Sequence, residues 1–123
     1  MIYLAGSYAG ALLETLIRLG WGALPSHSVV GVAEWKEEVS VKRLEAKRLP
    51  RDWAGTDLRP AQRVGLDWLE RGETAILDVP SVVGRPYERT LVLNPHHTTF
   101  SRLTLRKGAK VEWDPRLFAR GPE

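Results

Sequence analysis

The first helical pattern in the chain begins close to the N-terminus. Apolar residues recur there with the spacing i, i+3, i+4, i+7 and i+8, at Ala9, Leu12, Leu13, Leu16 and Ile17. Residues at this spacing share one face of an α-helix, because the helix turns once every ~3.6 residues. Ser7 is a suitable N-cap and Gly20 a suitable stop. The pattern predicts an amphipathic helix between them, preceded by a short strand over residues 2–5.

A second helical pattern lies in the middle of the chain and has signals at both ends. Its apolar positions are Ala61, Val64, Gly65, Trp68 and Leu69. Pro60 stands in the first turn, where proline is favoured, and Gly72 follows the last apolar position, where glycine is favoured. We therefore predict a helix from Pro60 to Gly72.

The remaining apolar runs predict strands. They are rich in Val or alternate between apolar and polar residues, and they cover residues 28–35, 39–44, 74–79, 91–93, 102–106 and 111–113. We expect the last two to form a closing hairpin around Lys107 and Gly108, and residues 47–60 to form a loop pinned by Trp53. Most strands follow the second helix through short links. The chain therefore predicts a mixed, largely antiparallel α+β domain rather than alternating βαβ units.

Length and residue usage narrow the class of protein. A chain of 123 residues fits one domain with its own core. It has no cysteine, which excludes disulfides, a Cys-ligated zinc site and a thiol nucleophile. Glu14 and Arg18 interrupt the N-terminal apolar run, so we predict neither a signal peptide nor a membrane span and expect a cytoplasmic protein.

The charge balance favours an anionic ligand only slightly. Lys and Arg number 18 against 15 Asp and Glu, and the two signs are interspersed rather than gathered in a basic stripe. A small nucleic-acid-binding domain is therefore a weak third hypothesis. Arginine dominates among the basic residues, and its planar fork suits phosphate or carboxylate.

Two polar side chains are candidates for chemistry, although each has an ordinary structural explanation. Glu14 lies on the flank of the first helix's apolar stripe, one turn after Gly10, where a carboxylate can face a ligand. A solvated boundary glutamate is the alternative. Ser81 follows Pro80 at a predicted strand end, which is also normal turn chemistry, and no G-x-S-x-G elbow surrounds it.

Other familiar sites receive no support. His96 and His97 are adjacent and lack an H-E-x-x-H spacing, so we predict no metal site. Glycine-rich phosphate loops are absent from the sequence.

Six stretches in order, taken together, resemble the RES domain, a toxin family named for an Arg, a Glu and a Ser. They are Tyr3-Leu4-Ala5 with Ala11-Leu12-Leu13-Glu14, Leu49-Pro50-x-x-Trp53, Gln62-x-x-Gly65-x-x-Trp68-Leu69, Leu77-x-Val79-Pro80-Ser81-Val82-Val83, Asn94-Pro95-x-His97 and Asp114-Pro115-Arg116-Leu117. They cover nearly the whole chain.

The resemblance implies a fold similar to ADP-ribosyltransferases, with two small, mostly antiparallel sheets around an NAD cleft and two main helices. Glu14 matches the family's Glu, Ser81 its Ser, and Tyr3 the aromatic residue before that Glu. These positions imply that Glu14 stabilises the ribose cation, Tyr3 stacks on nicotinamide, and Ser81 hydrogen-bonds the carboxamide or ribose of NAD, without a metal. The family's Arg lies upstream of Ile2, so we expect residues 1–123 to be a single RES-like domain that is truncated at its N-terminus or has a misplaced start, with reduced or no activity. A nearby arginine that substitutes for the missing one is the alternative.

The function implied by the resemblance is that of a bacterial toxin in a toxin–antitoxin pair. It would cleave the nicotinamide–ribose bond of NAD by hydrolysis, phosphorolysis or ADP-ribosyl transfer. We expect a homo-oligomer, silenced by a helix-turn-helix antitoxin and connected to nucleic acid only through that partner. The alternative is a catalytically degenerate module that binds the antitoxin or NAD without turnover.

Overall fold

The computed structural model describes residues 1–19, 27–36 and 38–118. Within them the chain forms strands and helices in the order β1 (Ile2–Ala5), α1 (Tyr8–Leu19), β2 (Val29–Glu34), β3 (Val41–Arg43), α2 (Arg59–Arg71), β4 (Ile76–Pro80), β5 (Arg89–Leu93) and β6 (Thr104–Lys110). Short 3₁₀ turns cover Ala46–Arg48, Thr98–Arg102 and Pro115–Phe118. No helix of the described ranges is long and apolar enough to cross a membrane.

The strands form two sheets. The larger has the order β1-β5-β4-β3, in which β5 is antiparallel to both β1 and β4. β3 and β4 are parallel, as expected for strands joined through a helix, here α2. The smaller sheet is the antiparallel pair of β2 and β6. The predicted mixed, largely antiparallel α+β fold is confirmed.

The larger sheet packs on both faces. Leu77 and Val92 lie side by side on one face and pack against Trp68 of α2. Register places Tyr3 beside Val92 on the same face, because alternate residues of a strand point to the same side. We call this the helix face. Ile76 and Leu93 form the core on the opposite face.

Both predicted helices are present, and their caps explain their ends. The Ser7 Oγ accepts a hydrogen bond from the Gly10 N–H (3.0 Å), which confirms Ser7 as the cap of α1. Gly72 ends α2 with a positive φ of 61° and donates its N–H to the Trp68 carbonyl. The predicted stop at Gly20 lies outside the described residues.

The predicted closing hairpin is wrong. Lys107 and Gly108 lie inside β6, which runs as one strand along β2. Between paired positions Val29–Lys110 and Gly31–Lys107, β6 advances by three residues and β2 by two, so β6 carries a β-bulge. A Cβ on Gly108 would lie 2.7 Å from Val30 Cγ1 and 3.0 Å from the Val30 carbonyl oxygen. The glycine thus permits close approach of two strands, rather than a chain reversal.

Replacing Gly108 tests this explanation. Gly108→Ala should lower the free energy of unfolding by about 1–3 kcal/mol, because the added methyl meets the Val30 backbone and overpacks the bulge. Gly31→Ala is the matched control, since its Cβ would meet only the Arg106 carbonyl oxygen at 3.9 Å. Urea unfolding of both variants provides the measurement. Equal stability of the two would contradict the proposed close approach.

Candidate functional site

One side of α1 crosses the helix face above β1. Gly10 lies against this strand, since a Cβ on it would be 3.5 Å from the Ala5 Cβ. Two turns later, the Arg18 guanidinium carbon is 4.7 Å from the centroid of the Tyr3 ring. Residues four apart stack along one side of a helix, so Glu14 lies between these two contacts. We call Gly10, Glu14 and Arg18 the α1 row.

Glu14 is half-buried in this position. It makes no hydrogen bond or ion pair with another residue in the part of the chain that the structure describes. Its carboxylate therefore has unused acceptor capacity, because an ionised carboxylate offers two oxygens and about four lone-pair sites.

Tyr3 contributes a partly exposed aromatic ring below the α1 row. Its side chain belongs to the helix face, and 47% of the residue's surface is exposed. The guanidinium of Arg18 lies over the ring, where the negative face of the π system attracts a cation. The ring and the guanidinium thus form one surface feature beside Glu14.

Ser81 lies directly after β4 and is 5% exposed. Its N–H donates to the Glu88 carbonyl (3.0 Å), which extends the pairing of β4 with β5 by one position. Its Oγ accepts from the Gly84 N–H (2.9 Å). Two residues after Val79, which packs on the helix-face core, Ser81 belongs to the same face. Its hydroxyl proton is still available to donate.

The loop from Ser81 to Glu88, which we call the Ser81 loop, contacts the beginning of α1. Ser7 Oγ donates a hydrogen bond to Glu88 Oε1 (2.7 Å). A Cβ on Gly10 would lie 3.0 Å from that same carboxylate oxygen, so the helix approaches the loop this closely because residue 10 has no side chain. The structure therefore brings the Gly10 end of the α1 row against the Ser81 loop, whereas the Arg18 end lies over Tyr3. Glu14 and Ser81 themselves share no hydrogen bond.

A cavity of about 800 Å³ lies between the two sheets. Its lining comes from β1, α1, β2 and β6, and from Trp35 and Trp113, which follow β2 and β6 respectively. Tyr3 contributes to this lining, whereas Glu14 and Ser81 do not. The Trp113 Nε1 is buried without a hydrogen-bond partner among the described residues. Tyr3 thus borders both the helix face and the cavity.

Several arginines are committed to ion pairs away from the α1 row. Arg89 Nε donates to Asp78 Oδ1 (2.7 Å), and its Nη2 donates to the Leu44 carbonyl (2.7 Å), which ties the ends of three strands together. Arg43 donates to Glu45 Oε1 (2.8 Å), and this hydrogen bond lowers the pKa of the Glu45 carboxyl. Asp78 alternates with the helix-face residues Leu77 and Val79, so this network belongs to the opposite face.

Of the two adjacent histidines, His97 supports the backbone through its side chain. His97 Nδ1 accepts from the Thr99 N–H (3.0 Å) and caps the following 3₁₀ turn. His96 and His97 also line a second cavity, of about 260 Å³, beside the end of α2. No group of three or more His, Asp or Glu side chains comes together as metal ligands in the described ranges.

The comparison with known proteins identifies the family. A sequence model of the RES domain matches residues 1–114. The chain belongs to the RES domain family. Its α+β architecture is accordingly the ADP-ribosyltransferase-like fold of RES-domain toxins.

Two relatives of the RES-domain chain agree with this assignment. One, from Sphingobium sp. (strain YBL2), is named "Prs ADP-ribosylating toxin" and is 37% identical over 123 residues, covering 95% of this chain and 74% of that protein. The other, from Yersinia enterocolitica, is named "Toxin Res" and is 34% identical over 119 residues, covering 94% of this chain and 76% of that protein.

Sequence reasoning missed two parts of this site. Arg18 had an available signal, because it stands four residues after Glu14 on the same helix. Glu88 had none, since its bond to Ser7 joins residues 81 positions apart.

The buried hydrogen bond of Ser81 yields a stability prediction. Ser81→Ala should lower the free energy of unfolding by about 1–3 kcal/mol, because the Gly84 N–H loses its acceptor in a part-buried loop. Ser101→Ala makes the same chemical change at an exposed position and should be neutral. Urea unfolding compares the two. If they were equally stable, the Ser81 hydroxyl would not support the loop.

Proposed function

We propose that this protein is an NAD-consuming toxin that cleaves the bond between nicotinamide and ribose. The observation that carries the proposal is the α1 row. Its half-buried Glu14 carboxylate has no hydrogen-bond or ion-pair partner among the described residues, and it lies beside the partly exposed Tyr3 ring. Membership of the RES domain family and the name of the Sphingobium relative support the same activity. Residues 1–123 would belong to a single RES-like domain.

The chemistry explains why a carboxylate is needed. Cleavage of the nicotinamide–ribose bond passes through an oxocarbenium-like state, in which positive charge develops on the ribose ring. Glu14 would hold the ribose 2-OH and stabilise that charge more strongly in the transition state than in the bound substrate. The nicotinamide group is already cationic and leaves as a neutral molecule, so no general acid is required.

Tyr3 and Ser81 would position the substrate. The Tyr3 ring has one face beneath Arg18, and its exposed remainder offers a surface on which nicotinamide can stack. Ser81 would donate its hydroxyl proton to the carboxamide oxygen or to a ribose oxygen, while the Gly84 N–H fixes the hydroxyl from the other side. No metal takes part in these steps.

The biological setting proposed here is a bacterial toxin–antitoxin pair in the cytoplasm. A helix-turn-helix antitoxin would silence the toxin and provide its only connection to nucleic acid. The toxin would act as a homo-oligomer. Because the Sphingobium relative is named an ADP-ribosylating toxin, transfer of ADP-ribose to a protein is one route, and water or phosphate are the other acceptors proposed.

Release of nicotinamide tests the proposal. Purified protein incubated with NAD should liberate nicotinamide, and Glu14→Gln should lower kcat by about 10²–10³-fold, the usual effect of removing one electrostatic stabiliser of a transition state. Glu70→Gln, an exposed change of the same type on α2, should leave the rate unchanged. Chromatography of the products would distinguish free ADP-ribose, its phosphate ester and an adduct on protein.

The outcomes separate the two functions. Equal rates for the wild-type protein and Glu14→Gln would remove Glu14 from the mechanism. Calorimetric binding of NAD without any release of nicotinamide would contradict catalysis and support the alternative, a binding module.

A further inference from the structure

Arg18 is a charged residue of the α1 row to which the proposed mechanism gives no task. Its side chain is exposed, and its guanidinium lies over the Tyr3 ring. No carboxylate within the described ranges is in salt-bridge distance of it. Arg43, Arg89 and Arg106, by contrast, are each paired with an acidic side chain. Arg18 therefore presents a positive charge whose hydrogen-bond donors are available to a ligand.

The proposed substrate requires such a charge. NAD carries two negative charges on its diphosphate, and the carboxylates of Glu14 and Glu88 already lie along this side of α1. A cation near the row would offset the repulsion between these carboxylates and the diphosphate. An arginine is well suited, because its planar fork donates two parallel hydrogen bonds to phosphate oxygens.

The spacing along α1 agrees with the connectivity of NAD. Side chains four residues apart start about 5–6 Å from one another on a helix surface. In NAD, the diphosphate is attached through C5 of the same ribose whose C1 loses nicotinamide. A carboxylate that holds the 2-OH of this ribose, with a guanidinium one turn further along, therefore faces two parts of one nucleotide.

We propose that Arg18 binds the diphosphate of NAD, with the Tyr3 ring supporting one face of its guanidinium. The assignment rests on the proposed function and adds the residue that grips the anionic part of the substrate. Tyr3 then has two tasks: it orients the guanidinium and offers a surface to nicotinamide.

Calorimetry with two ligands tests the assignment, with every Arg variant compared in the Glu14→Gln background so that NAD is not consumed during the titration. Arg18→Ala should weaken the binding of NAD by about 10- to 100-fold, the usual effect of losing a charge-assisted hydrogen bond to phosphate. Nicotinamide riboside has no phosphate, so its dissociation constant should change by less than about twofold. Arg18→Lys keeps the charge without the fork and should be intermediate. Arg116→Ala removes an exposed arginine paired with Asp114 and is the control for net charge.

Each outcome has one meaning. Wild-type affinity of Arg18→Ala for NAD would overturn the assignment and leave the proposed function intact. Equal weakening of NAD and nicotinamide riboside would also overturn it, because Arg18 would then act only by orienting Tyr3. If the wild-type protein binds no NAD and releases no nicotinamide, the proposed function fails and the assignment fails with it. Urea unfolding of Arg18→Ala verifies that the variant is folded.

Discussion

The position of α1 on the sheet depends on a small contact between Ser7, Gly10 and Glu88. The Ser7 hydroxyl accepts from the Gly10 N–H and donates to the Glu88 carboxylate, so one group caps the helix and ties it to the loop after β4. The absence of a side chain at Gly10 allows the helix to approach that carboxylate. The contact holds the N-terminal end of α1 against the loop, and together with the burial of Leu16 on the apolar side of the helix it sets the rotation of α1. The direction of Glu14 and Arg18 follows from that rotation, because helix geometry fixes where residues four and eight positions later point.

The parts of the fold that could be predicted from the sequence are those determined by neighbouring residues. Ser7 and Gly72 signal helix ends through local backbone hydrogen bonds, and both act as the pattern predicts. The Lys107–Gly108 pair shows the limit of this reasoning. Glycine serves turns and close contacts alike, and the choice here is made by Val30 on a strand that lies far away in sequence.

The candidate site, too, could be predicted from the sequence only where neighbouring residues determine it. Periodicity alone indicated that Glu14 lies at the border of the apolar face, one turn after Gly10. It gave no information on what this border faces, since Ala5, Tyr3 and Glu88 reach it through tertiary packing. The proposed roles of Glu14, Ser81 and Tyr3 came from resemblance to a family, and the contacts on the helix face add a physical setting in which such roles can be tested.

The two halves of the site lie on strands with different positions in the larger sheet. Ser81 continues from β4, an inner strand whose first residues are fully buried, whereas Tyr3 belongs to β1, which in the described part of the chain pairs with β5 alone. The free energy of local unfolding is lower for an edge strand than for an inner strand. A molecule that bridges Tyr3 and Ser81 would therefore couple the opening of the edge strand β1 to that of the inner strand β4, and the amide hydrogens of β1 would exchange more slowly with solvent.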